Sequence, residues 1–124
     1  MKLTFDAPGE PIPKGRPRTV LHNGRIMTYT PKTTVRCEGI IRTCCGIAMK
    51  KAGILQPVPD RLIVSMGFYR STAHRLDLDN LIKTCLDALN GVAFKDDSQV
   101  VGLVARKYID RGNPRTEVEI ETDV

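Results

Sequence analysis

Apolar residues recur along this chain with two periods. In Leu78, Leu81, Ile82, Cys85, Leu86 and Leu89 they fall three and four apart, which predicts an amphipathic helix from about Asn80 to Leu89. An Asp before this stripe supplies an N-cap, and Asn90-Gly91 supplies the stop. A second stripe, Val35, Cys37, Ile40, Ile41, Cys44, Ile47 and Ala48, predicts a longer helix opened by Thr30-Pro31 and closed by Lys50-Lys51 and Gly53. Elsewhere the period is two. Leu3 and Phe5 alternate with polar neighbours over Lys2 to Asp6, as Leu62, Val64, Met66 and Phe68 do over Leu62 to Tyr69, and both read as half-buried strands. A dense β-branched run from Gln99 to Ile109 predicts a long strand. Gly112-Asn113-Pro114 then turns the chain into a last one, Thr116 to Thr122, an edge or near-edge strand with Glu117, Glu119 and Glu121 on its wet face. Asn23-Gly24 accepts the positive φ angles of a two-residue hairpin loop, so Thr19 to Leu21 and Ile26 to Tyr29 are its arms.

The order strand, hairpin, helix, strand, helix, two strands predicts an α+β domain with helices packed on a mixed, largely antiparallel sheet. At 124 residues, with no repeat or linker, a single domain spanning residues 1 to 124 is expected. No signal peptide or membrane-length apolar run is present, which points to the cytoplasm and away from a membrane.

Charge changes the picture. Met1 to Lys51 holds ten Lys/Arg against three Asp/Glu, and the remainder nine against eleven. A basic half beside an acidic cluster suits a polyanion held by one and processed by the other. Pro8 to Pro17 is stiff and extended, and Lys14, Arg16 and Arg18 project from it, with Arg25 at the hairpin tip. The plain alternative is a solvated loop. Cys37, Cys44, Cys45 and Cys85 form no Cys-x-x-Cys pair and have no histidine at ligand spacing, which argues against zinc.

The candidate chemistry lies between His74 and Gln99. Asp77 and Asp79 stand one residue apart where loop becomes helix, Lys83 follows one turn on, and Asp96-Asp97 arrives just past the helix. Asp-x-Asp alone is weak, since acids cap helices and abound in turns. Brought together, such carboxylates would repel one another unless a cation sat among them, and hard oxygen ligands favour Mg²⁺ or Mn²⁺. His74 is a candidate base but reads better as a solvated loop residue. Asp87, on the Lys83 face, reads best as the acid of an i, i+4 ion pair.

The run Arg75-Leu76-Asp77-Leu78-Asp79-Asn80-Leu81-Ile82-Lys83, with Asp87-Ala88-Leu89-Asn90-Gly91 and Asp96-Asp97-Ser98-Gln99-Val100, resembles the signature of RusA-type Holliday junction resolvases, many of them prophage-encoded. Pro13-Lys14-Gly15-Arg16-Pro17-Arg18 and Tyr29-Thr30-Pro31-Lys32 are similar to the basic N-terminal region of phage-borne members. The resemblance implies that Asp77, Asp79 and Asp97 bind metal and act in catalysis, and that Lys83 is the catalytic lysine. It further implies an Mg²⁺-dependent homodimer that nicks two opposed strands of four-way junction DNA. Lys14, Arg16, Arg18, Arg25, Lys32 and Arg75 are then the candidate DNA contacts. Leu76 departs from the pattern, since some members have an arginine there, which bears on local phosphate contacts. Alternatives are a DNA-binding phage factor without turnover and a less selective flap or branched-DNA nuclease.

Overall fold

The computed structural model describes residues 1–124. Six strands and two helices follow in the order β1 (Lys2–Pro8), β2 (Arg18–His22), β3 (Arg25–Tyr29), α1 (Lys32–Lys51), β4 (Leu62–Arg70), α2 (Leu78–Leu89), β5 (Val100–Ile109) and β6 (Arg115–Thr122), with a single 3-10 turn at Asp97–Gln99. The main sheet has the order β1-β6-β4-β5. Its β1–β6 and β6–β4 pairs are antiparallel and β4–β5 is parallel, so the domain is α+β on a mixed sheet.

Both helices cover one face of that sheet. Leu3, Phe5 and Ala7 of β1, Leu62, Val64, Met66 and Phe68 of β4, and Val118 and Ile120 of β6 point into a core closed by Ile41, Cys45 and Met49 of α1 and Leu81, Cys85, Ala88 and Leu89 of α2. The alternation of β4 thus buries the side chains that its pattern predicts. The opposite face has no helix. There Tyr69 stacks on Tyr108 at 4.6 Å, and the Arg115 guanidinium lies 3.9 Å over the Tyr69 ring while pairing with Asp110 and Glu117.

Several boundaries and faces differ from expectation. Helix α2 begins at Leu78, so Asp77 takes the N-cap place and Asp79 lies inside the first turn. Helix α1 starts one residue later than its Thr-Pro signal, with Pro31 itself at the cap. Its buried side is Thr34, Ile41, Cys45 and Met49, while Val35, Ile40 and Ile47 of the expected stripe are exposed. The helix packs chiefly on β1 and α2, and those three side chains stay at its surface. Strand β6 lies between β1 and β4, one strand in from the β1 edge, which agrees with its near-edge pattern; the long apolar β5 holds the opposite edge. The crossover β4-α2-β5 joins two parallel strands and therefore sends α2 back from the end of β4 to the start of β5.

The β2–β3 hairpin forms as predicted, with Asn23 at φ 50° and Gly24 at φ 75° in its loop. Every residue in its two strands is exposed, so it stands away from the body as an arm.

Candidate active site and nucleic-acid surface

Strand β4 delivers the chain to the site. Its inward register runs on from Phe68 to Arg70, which is 8 % exposed and donates through Nη2 to the His74 carbonyl oxygen, while Arg70 Nε is buried without a partner. From the neighbouring strand Lys107 Nζ donates to the Leu76 carbonyl oxygen at 2.7 Å. Two cations on the helix side of the sheet thus grip the backbone of the loop that carries Asp77. Neither was singled out in the sequence, although Arg70 interrupts the inward-facing apolar alternation of β4, which is the signal that marks it; Lys107 sits in the dense run of β5 and carries no such signal.

Asp77 is extended (φ −76°, ψ 127°) and its side chain makes no capping bond. Asp79 accepts the Asn80 N–H through Oδ1 at 2.9 Å. Lys83, one turn above Asp79, is exposed. Asp77, Asp79, Lys83 and Asp97 all stay outside the salt bridges of the chain. Asp87 does not pair with Lys83. Its Oδ2 lies 3.0 Å from Lys14 Nζ, because the N-terminal segment brings that ammonium between the two helices, where Glu38 Oε1 also meets it at 2.7 Å. Partial burial works against the Lys14 charge, but the hydrogen bonds to Glu38 and Asp87 outweigh it and hold its pKa above the usual lysine value.

The basic segment is tied to the acidic one through its backbone. Lys14 N–H donates to the Asn80 carbonyl oxygen at 2.8 Å, and Gly15 N–H to Thr34 Oγ1 at 3.1 Å. A Cβ at Gly15 would lie 2.7 Å from the Pro31 ring, so only glycine permits this approach. Pro13, Lys14, Arg75, Leu76, Asp77 and Asn80 line the resulting shallow depression of ≈ 390 Å³. Of the candidate DNA contacts, Arg16, Arg18, Arg25, Lys32 and Arg75 are exposed, whereas Lys14 is turned inward and engaged.

The second acidic pair divides its labour. Asp96 caps the 3-10 turn, accepting from Ser98 N–H at 3.2 Å, while Gln99 Oε1 accepts from the N–H groups of Lys95 and Asp96. The Ser98 bonds hold the Asp96 carboxyl below the usual aspartate range. Asp97 is exposed and makes no side-chain hydrogen bond within the chain. The turn sits at the start of β5, where Gln99 Nε2 donates to the carbonyl oxygens of Val58 and Asp60. The fold therefore brings Asp77, Asp79 and Lys83 together and leaves Asp97 at the other end of α2. The exposed oxygens of Asp77 and Asp79 suit a hard divalent ion. One chain nevertheless gathers no three His, Cys, Asp or Glu side chains around a common point, and so does not form the full seat of such an ion.

A β-α-β crossover with acids at the mouth of its helix, bordered by a pinned basic segment and a cationic arm, is an arrangement that suits a protein handling phosphodiesters. Residues 8–121 match the endodeoxyribonuclease RusA family, and the chain belongs to that family of Holliday junction-resolving endonucleases. It is also similar to the "Uncharacterized protein YqaN" of Bacillus subtilis (strain 168), with 32 % identity over 139 residues that cover 95 % of this chain and 94 % of the relative. Membership implies binding of junction DNA and, as for these resolvases in general, dependence on a metal. No helix is long and apolar enough to cross a membrane.

Proposed function

We propose that residues 1–124 act as one Mg²⁺-dependent endonuclease domain, with Mn²⁺ able to substitute, that resolves four-way junctions in the cytoplasm as a homodimer making paired symmetric nicks in recombination and repair. Asp77, Asp79 and Asp97 are the metal-binding catalytic acids in this reading, and Lys83 is the catalytic lysine. The observation that carries it is the open acidic pair at the mouth of α2 with Lys83 one turn above and the basic segment hydrogen-bonded to the same turn through Asn80. Carboxylates exposed without a cationic partner where DNA must approach would only weaken simple binding, whereas hydrolysis needs them.

The chain's own groups then have distinct tasks. Lys83 is free of any acid partner and available to neutralise charge that builds on the scissile phosphate in the transition state. Arg75 borders the depression at Asp77 and can hold the neighbouring phosphate. Arg16, Arg18, Arg25 and Lys32 spread contacts along the backbone of a junction arm, which selects shape rather than base sequence.

A labelled four-way junction incubated with the protein, with and without Mg²⁺, tests the proposal by mapping the cuts. Symmetric nicks across the junction that require the metal are expected, and linear duplex should be left intact. Junction binding without nicking in any divalent metal would favour a non-catalytic DNA-binding factor, the reading that the incomplete acidic cluster of one chain supports. Equal cutting of flaps and junctions would favour a less selective branched-DNA nuclease.

A further inference from the structure

From Pro11 to Cys37 the chain holds six cations, Lys14, Arg16, Arg18, Arg25, Lys32 and Arg36, and no acid. The β2–β3 arm lies in the middle of this stretch, and both of its ends are fixed beside the acidic turn. Just before β2, Lys14 N–H donates to the Asn80 carbonyl oxygen and Gly15 N–H to Thr34 Oγ1. Just after β3, Pro31 packs on Gly15. From this root the two strands, each of 5 residues, carry the tip on the order of 15 Å outward.

The register gives the arm two unlike faces. Residues paired across the strands share a face, and the faces alternate along each strand. Arg18, Val20, His22, Arg25, Met27 and Tyr29 therefore occupy one side, which carries all of the charge of the hairpin. The other side holds Thr19 opposite Thr28 and Leu21 opposite Ile26, with no ionisable group among them. Leu21 and Ile26 are 75 and 76 % exposed, one pair back from the Asn23-Gly24 loop. Phosphate contacts use the first side and leave this apolar pair in water, where nothing offsets its exposure.

We infer that Leu21 and Ile26 form a wedge that enters the centre of a four-way junction and packs against base faces where the strands exchange, while the opposite side of the arm holds phosphates. Apolar side chains driven between bases unstack them, at a cost incurred at every step of an intact duplex. At a crossover the stack is already interrupted, so the same insertion costs least there. Every base has an apolar π-face, so the contact is indifferent to sequence and reads only the break in the helix. Six cations without an acid fit a polyanion and would repel the same arm of a second copy. The inference rests on the junction-binding reading above and deepens it: phosphate contacts supply affinity, and the wedge supplies the preference for branched over linear DNA.

The double variant Leu21→Thr, Ile26→Thr tests it, since threonine suits a strand and removes the apolar pair. A four-way junction carrying 2-aminopurine at the exchange point, a base whose fluorescence rises on unstacking, is titrated in metal-free buffer so that nothing is cut. The wild type should raise the fluorescence about threefold or more at saturation and leave a probe in the middle of an arm quenched. The variant should bind the junction without that rise, with its preference for junction over linear duplex lowered about tenfold. Its duplex affinity, sedimentation and melting temperature should match those of the wild type, and Leu21→Ile with Ile26→Leu should restore the signal. A variant that brightens the probe as the wild type does, or a wild type that binds the junction and leaves the probe quenched, would overturn the wedge and leave the junction-binding reading standing. A lowered melting temperature or a dissociated oligomer in the variant would overturn it as well, by showing that the pair packs within the protein. A wild type that does not prefer the junction to linear duplex would overturn the junction-binding reading itself.

Discussion

The ammonium of Lys107, on the edge strand, donates to the carbonyl oxygen of Leu76 at 2.7 Å, one residue before Asp77. Position along β5 is thereby coupled to the backbone that presents the first acid. Lys107→Met, which keeps the length of the side chain and removes the donor, should free residues 71–77. Faster amide exchange confined to that loop and a cleavage rate lowered about tenfold, with the melting temperature nearly unchanged, are expected by exchange mass spectrometry and single-turnover kinetics.

Asp77→Asn, Asp79→Asn and Asp97→Asn should each abolish nicking while junction affinity is preserved or raised, because each removes a charge that repels phosphate. Lys83→Ala should slow cleavage by at least a hundredfold without loss of stability, since the side chain is exposed and unpaired. Gel-shift titration paired with cleavage kinetics checks both statements; retained nicking in all three acid variants would remove them from the mechanism.

Lys14 predicts a structural effect in place of a direct DNA contact. Lys14→Met should cost on the order of 1 kcal/mol at neutral pH, by leaving Glu38 and Asp87 without their shared cation. The Lys14 pKa is raised in the folded chain above its ordinary 10.5, so its contribution is complete below that value and disappears as the pH climbs through the folded one. Denaturant titrations at pH 8 and above pH 11 should therefore show the gap between wild type and variant closing at the higher pH.

Asp96 and Asp97 should separate cleanly. Asp96→Ala removes the cap of the 3-10 turn and is expected to lower the melting temperature, whereas Asp97→Ala should leave it unchanged and eliminate cleavage. As the Asp96 carboxyl titrates below the usual range, its stabilising effect persists at mildly acidic pH and is lost only as the pH falls through that lowered value.

Junction binding should weaken steeply with salt if Arg16, Arg18, Arg25 and Lys32 hold phosphates, with log Kd rising linearly in log salt. Replacing Arg18 and Arg25 with Ala should flatten that slope by about two, and a slope unaltered in the variant would move the DNA away from the arm.

Local rules alone determined much of this protein. The period-two burial of β4, the Asn23-Gly24 turn and the apolar stripe of α2 depend on neighbours within a few residues, so the residue pattern suffices to read them. The motif around Asp77, Asp79 and Lys83 was legible for the same reason, since one helical turn sets their spacing. Tertiary structure decided the rest: which strand holds the sheet edge, which side of α1 is buried, that Lys14 is spent between Glu38 and Asp87, and that Arg70 and Lys107 hold the acidic loop. Above all, it separated Asp97 from Asp77 and Asp79. That distance follows from the parallel direction of β4 and β5, a relation between strands 38 residues apart that no local pattern encodes.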